Sequence, residues 1–216
     1  MKAALWKLQV ISLPSSTYIS GIIIKGIPEV QDEADRSFAT FKKVVGSYFI
    51  RPLKNKSVFI HYNNEFSSVI TGKNGEFRTE IKASIGDGIS VHTSVDTPPL
   101  PLLQDYPVYF NDLDYKYLVI SDIDDTILHS YSTRSIKKLR SLLFRPPIKR
   151  KKINATYKAF ERLKNAHFNF IYLSRSEYNL FNLINTFISE NNFPLGPIFL
   201  RKFTLWKRLL NQKGKN

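Results

Sequence analysis

The hydrophobic period of the chain changes at Thr97-Pro98-Pro99-Leu100-Pro101, and this change limits the fold more than any other feature. Before it lie short runs rich in Ile, Val, Phe, Tyr and Thr at residues 5–13, 18–27, 57–62, 65–71, 76–83 and 89–94, separated by polar or glycine-containing breaks. That spacing predicts antiparallel strands folded as a sandwich or small barrel. Asn74-Gly75, between two of these runs, is a hairpin signal because both residues tolerate positive φ. After the prolines, strand and helix patterns alternate. A buried strand is expected at 117–121, an amphipathic helix at 153–164, a strand at 168–173, a helix at 177–190 and a strand at 198–200. Alternation of this kind predicts an α/β region with a parallel sheet and crossover helices. The expected division is therefore a β-rich, sandwich-like domain at 1–96, a proline-stiffened linker at 97–116, and an α/β domain at 117–216. Residues 30–45 are charged and then helix-like, and their place is left open.

The sequence has 216 residues, 43% of them hydrophobic, enough for a real core. With no cysteine, disulfides, thiolate ligands and a cysteine nucleophile are excluded, and a reducing, cytoplasmic setting is expected. His61, His92, His129 and His167 match no zinc spacing and read as surface or packing histidines. The apolar amino end is broken by Lys7 and Gln9; Trp6, Leu8 and Val10 read as alternating strand positions rather than a signal peptide. No window approaches the roughly 18 apolar residues of a membrane span.

The charge is unevenly placed. Residues 1–133 hold 13 Lys+Arg against 15 Asp+Glu, whereas 134–216 hold 19 against 3. A basic half of this kind attracts polyanions, and an anionic membrane surface reached peripherally is the expected partner. The plain alternative is a solvated basic face. Nucleic acid ranks last, since no aromatics interleave with the basic residues in a binding motif.

Three aspartates in four positions follow the apolar run 117–121: Asp122, Asp124 and Asp125. Clustered carboxylates repel one another, so such a group serves a cation or acid/base work. Ligands bind at the carboxyl ends of strands in an open parallel sheet. Residues two apart on an extended segment face the same way, so Asp122 and Asp124 are expected to flank one phosphoryl group, as nucleophile and proton donor. A carboxylate attacking a phosphate dianion needs a neutralising cation, and Mg2+ suits hard oxygen ligands. A calcium loop is the competing reading; Ile127-Leu128 fits it poorly.

The string Ser121-Asp122-Ile123-Asp124-Asp125-Thr126-Ile127 resembles motif I of the HAD superfamily, in the form found in actin-patch phosphatidate phosphatases and the related lipins. Residues 171–180, with Ser174 at a strand end followed by a helix, resemble the second motif of that family, and residues 193–201 resemble the segment that follows it. The resemblance implies an incomplete HAD-like Rossmannoid sheet with flanking helices, and a magnesium-dependent phosphatidate phosphatase acting on a phosphorylated lipid through an aspartyl-phosphate. It implies Asp122 as nucleophile and metal ligand. Asp124 becomes general acid and base, with its carbonyl on the metal. Ser174 becomes a phosphoryl hydrogen-bond donor, and Thr126 shapes the phosphate-binding loop. A capping box from Ser174 to Glu177 is a second reading of the same serine.

The chain departs from the family in having no aspartate after Asp125, so the later acidic metal motif is missing. Lys207 is the expected phosphate-balancing lysine, with Lys213 and Lys215 as alternatives. A truncated, inactive relative that binds anionic lipid or a protein partner is therefore the rival expectation.

Overall fold

The computed structural model describes residues 3–26, 51–85, 88–111, 117–128 and 152–201. They fall into two compact units. The first holds β1 (Ala3–Ser12), β2 (Thr17–Lys25), β3 (Ser57–Tyr62), β4 (Glu65–Ile70), β5 (Glu76–Ile81), β6 (Ser90–His92) and β7 (Tyr109–Asn111). The second holds β8 (Tyr117–Asp122), α1 (Asn154–Asn165), β9 (Phe168–Glu177), a 3-10 turn (Tyr178–Leu180), α2 (Phe181–Glu190) and β10 (Ile198–Arg201). The chain is thus mixed α/β, with strands predominating. Lys207, Lys213, Lys215 and residues 30–45 lie outside the described residues.

The first unit has two sheets, ordered β5-β2-β1-β7 and β4-β3-β6. One apolar core draws on both: Leu5, Leu8, Val10, Ile19, Ile23 and Phe77 from the first, Val58, Ile60 and Val91 from the second. The opposite side of β1 and β2, with Ala4, Trp6, Ile22 and Ile24, is also out of solvent. Here simple alternation fails. A bulge between Leu5 and Lys7 switches the core-facing positions from Ala3 and Leu5 to Leu8 and Val10, so Trp6 does not share their side. Lys7 and Gln9, which look like interruptions in the sequence, are buried in the central strand.

Two further expectations are corrected. Asn74-Gly75 does not close a hairpin, because β4 and β5 belong to different sheets. Gly75 does take positive φ (75°), and its carbonyl receives the Ile23 N–H at 2.9 Å, so the turn carries the chain from one sheet onto the other. The tight two-residue hairpin is Asn63-Asn64, both at positive φ (44° and 63°), which joins β3 to β4.

The proline-rich stretch is not a free linker, since residues 97–111 belong to the first unit. Leu103 N–H donates to Leu5 O at 2.9 Å and Val10 N–H to Val108 O at 2.8 Å, and β7 then runs parallel to β1. Between these contacts the buried Gln104 amide imitates a strand partner. Its Oε1 accepts the Leu8 N–H at 3.0 Å and its Nε2 donates to Leu8 O at 3.0 Å. Proline's missing N–H is tolerated here because side chain and intervening backbone complete the ladder.

In the second unit three parallel strands are ordered β10-β9-β8. One side of this sheet is packed by aromatic side chains: Phe160 of α1 stands 5.1 Å from Phe170 of β9, and Phe187 of α2 stands 5.8 Å from Phe193. Both helices end on a residue in the left-handed region, His167 and Asn192 (φ 58° each), the usual conformation just past a helix C-terminus. His167 is therefore a turn residue. The strand expected to be buried is not: in β8, Leu118 is 48% and Ile120 62% exposed, because α1 and α2 contribute to the other side.

Candidate active site

The carboxyl ends of β8, β9 and β10 carry Asp122, the segment Ser174 to Glu177, and Arg201. The register sets Asp122 opposite Leu173 and Arg201 opposite Glu177, with a bulge before Arg201. Parallel strands all end at one edge of the sheet, so side chains distant in sequence gather there.

β8 stops at Asp122, whose Oδ1 accepts the N–H of Ile123 at 2.8 Å. The chain then turns tightly. The Ile123 carbonyl receives the N–H groups of Thr126, Ile127 and Leu128 at 3.3, 3.1 and 3.2 Å, while Asp125 N–H donates to Leu128 O at 2.8 Å. Asp125 takes positive φ (59°), a conformation aspartate tolerates better than most residues. Ile123, Ile127 and Leu128 are buried and anchor this turn from below. Asp124 is therefore placed by a hydrogen-bonded turn and not by strand alternation with Asp122. Thr126 closes the turn through its backbone N–H.

Across the edge, β9 extends four residues beyond its expected end, to Glu177. Ser174 Oγ donates to Asp124 Oδ2 at 3.0 Å, and Ser176 Oγ donates to the same oxygen at 3.0 Å. Ser174 Oγ in turn accepts the Ser176 N–H at 2.9 Å. The capping-box reading of Ser174 fails, because the residue preceding α2 is Leu180 and no side chain caps that helix. Glu177 is buried and accepts from Arg201 at 3.5 Å through Oε1, while its Oε2 has no partner among the described residues.

Asp122, Asp124, Ser174 and Thr126 thus lie at one edge of one sheet, and Lys207 lies outside the described residues. Ser176 was not anticipated. The only available signal was its two-residue spacing from Ser174, which matters once both are known to sit on a strand.

The donor set is made of hard oxygens. Among the described residues, no group of three or more His, Cys, Asp or Glu could hold an ion. Magnesium is commonly held by one or two carboxylates with waters and substrate phosphate completing its shell, so the Asp122 carboxylate with a carbonyl of the following turn is the kind of donor set that ion takes.

Sheet, turn and strand ends together define an α/β protein with a carboxylate-and-hydroxyl site at the carboxyl edge of a parallel sheet. Residues 117–216 match the family model described as phosphatidate phosphatase APP1, catalytic domain, and this part of the chain is similar to that family. Among curated proteins, none matches the chain.

Proposed function

We propose that the chain is a magnesium-dependent, phosphatidate phosphatase-like phosphomonoester hydrolase with a HAD-like Rossmannoid catalytic region. The supporting observation is the arrangement at the sheet edge: Asp122 ends β8, and Asp124 is held by hydroxyls from the end of β9.

Asp122 attacks phosphorus, forming an aspartyl-phosphate as the bond from phosphorus to the glycerol oxygen breaks. Asp124 gives its proton to that departing oxygen. It then takes a proton from water, which attacks the aspartyl-phosphate, frees phosphate and regenerates the Asp122 carboxylate. Ser174 donates to a phosphoryl oxygen, and Thr126 shapes the loop around the phosphate. The Asp122 side chain and the Asp124 carbonyl would hold magnesium. When bound, the ion offsets repulsion between the Asp122 carboxylate and the phosphate dianion.

The phosphorylated lipid is met at an anionic surface by exposed cations of the catalytic region, among them Lys158, Arg162 and Lys164 on α1, and Arg175 and Arg201 at the site edge. No helix among the described residues is long and apolar enough to cross a membrane, so the encounter is peripheral in this reading.

The test is phosphate release from phosphatidate in mixed micelles, with and without magnesium, for wild type and Asp122→Asn. Metal-dependent release lost in the variant supports the reading, and equal rates end it. Sedimentation with anionic vesicles without turnover would replace it with a binding module.

A further inference from the structure

We infer that Ser176 is a positioning residue that holds the Asp124 carboxylate in the reacting complex, a role that rests on the hydrolase reading above. Both serine hydroxyls donate to one oxygen of Asp124, Oδ2. A carboxylate oxygen has two lone pairs and accommodates both. The division of labour follows from counting protons. Ser174 has one hydroxyl proton, already given to Asp124. To donate to a phosphoryl oxygen it must withdraw that proton from Asp124. Ser176 faces no such conflict, so its hydrogen bond is the one that persists when substrate is bound.

A second consequence concerns the reacting atom. With Oδ2 occupied by donors, and no described residue donating to Oδ1, the proton delivered to the leaving oxygen sits on Oδ1. Ser176 is suited to this work because β9 continues to Glu177, which sets residues 174 and 176 on the same side of an extended strand. The Ser176 N–H bond to Ser174 Oγ also orients the first hydroxyl, so removing the second side chain leaves Ser174 and its backbone contact in place.

The experiment compares two leaving groups. Expulsion of glycerol oxygen from phosphatidate depends on the proton from Asp124, whereas p-nitrophenolate leaves from p-nitrophenyl phosphate with little help. Ser176→Ala is expected to lower the single-turnover rate of leaving-group release, the step that needs the Asp124 proton, by about tenfold or more on phosphatidate, part of the range general acids supply, and by less than about threefold on p-nitrophenyl phosphate. Water activation by Asp124 is common to both substrates and lies after this step. KM for phosphatidate should stay unchanged. Ser176→Thr, which keeps the hydroxyl, should recover the phosphatidate rate. Equal losses on both substrates, no loss, or failure of threonine to rescue would overturn the proposal. If Ser176→Ala does not fold, Ser176→Cys is read in the same way. Wild type that turns over neither substrate overturns this inference together with the hydrolase reading. An active wild type silenced by Asp122→Asn, with a uniform Ser176→Ala effect, overturns this inference alone.

Discussion

Replacing Lys7 with methionine probes a buried ammonium in the central strand of the first unit. Lys7 is 5% exposed. Burial first, and the Arg78 guanidinium second, lower its pKa from 10.5 to about 7. The unfolded chain keeps this proton up to pH 10.5, while the folded chain releases it near pH 7. Between those values the unfolded state binds more protons, so stability rises with pH and is lowest below pH 7. At about 1.4 kcal/mol per pK unit, the charged form costs the fold about 5 kcal/mol. Integrating the proton difference from pH 7 to 9 gives a rise of about 2 kcal/mol from this one group. Methionine fills a similar volume without the charge. Lys7→Met should therefore be more stable than wild type at pH 6 by about 2 to 5 kcal/mol, the lower figure allowing for imperfect repacking. It should also lack the rise between pH 7 and 9. Urea unfolding followed by tryptophan fluorescence at several pH values measures both, with Trp6 buried in the same strand as reporter. A wild-type stability that stays level or falls from pH 7 to 9, or a variant with the wild-type slope, refutes the reasoning.

Two other substitutions test the frame behind the site. Tyr172 is fully buried and its hydroxyl donates to Pro194 O at 2.6 Å, so Tyr172→Phe strands that carbonyl and should cost about 1–3 kcal/mol, seen as a lower melting temperature. A β-carbon at Gly196 would overlap the Phe170 carbonyl, so Gly196→Ala should destabilise by about 1–3 kcal/mol or more, whereas Gly26→Ala, which meets open space but sits at positive φ, should show only the smaller backbone cost when melting curves are compared.

Much of the architecture was legible because apolar, β-branched and aromatic runs between polar breaks mark strands. Residues 57–62 read as a strand from their β-branched and aromatic content, and 168–173 from the alternation of strand and helix patterns; both are strands in the structure. Other features needed information that no local pattern carries. The bulge at Trp6 reverses the sides of β1, and a reading that counts alternate residues cannot register an inserted one. Asn74-Gly75 signals positive φ, which Gly75 has, but turn chemistry does not specify which strands a turn connects. Prolines implied a linker because they lack N–H groups, while Gln104, which makes that segment part of a sheet, is an ordinary polar residue until its partners are seen. At the site, the aspartates stood out through mutual repulsion. Ser176 did not, because the polar run Arg175-Ser176-Glu177 carries no hydrophobic period and was assigned to the approach of a helix.

The Gln104 contact spans nearly the whole first unit, since Leu8 and Gln104 are separated by 96 positions. β1 precedes the other described strands of its unit in the chain and is thus among the last to gain its full set of neighbours. Until residues 101–111 emerge from the ribosome, one flank of β1 stays open to any passing extended segment. Closing so long a loop is slow, which makes the nascent chain, more than the finished protein, the form that is vulnerable to aggregation.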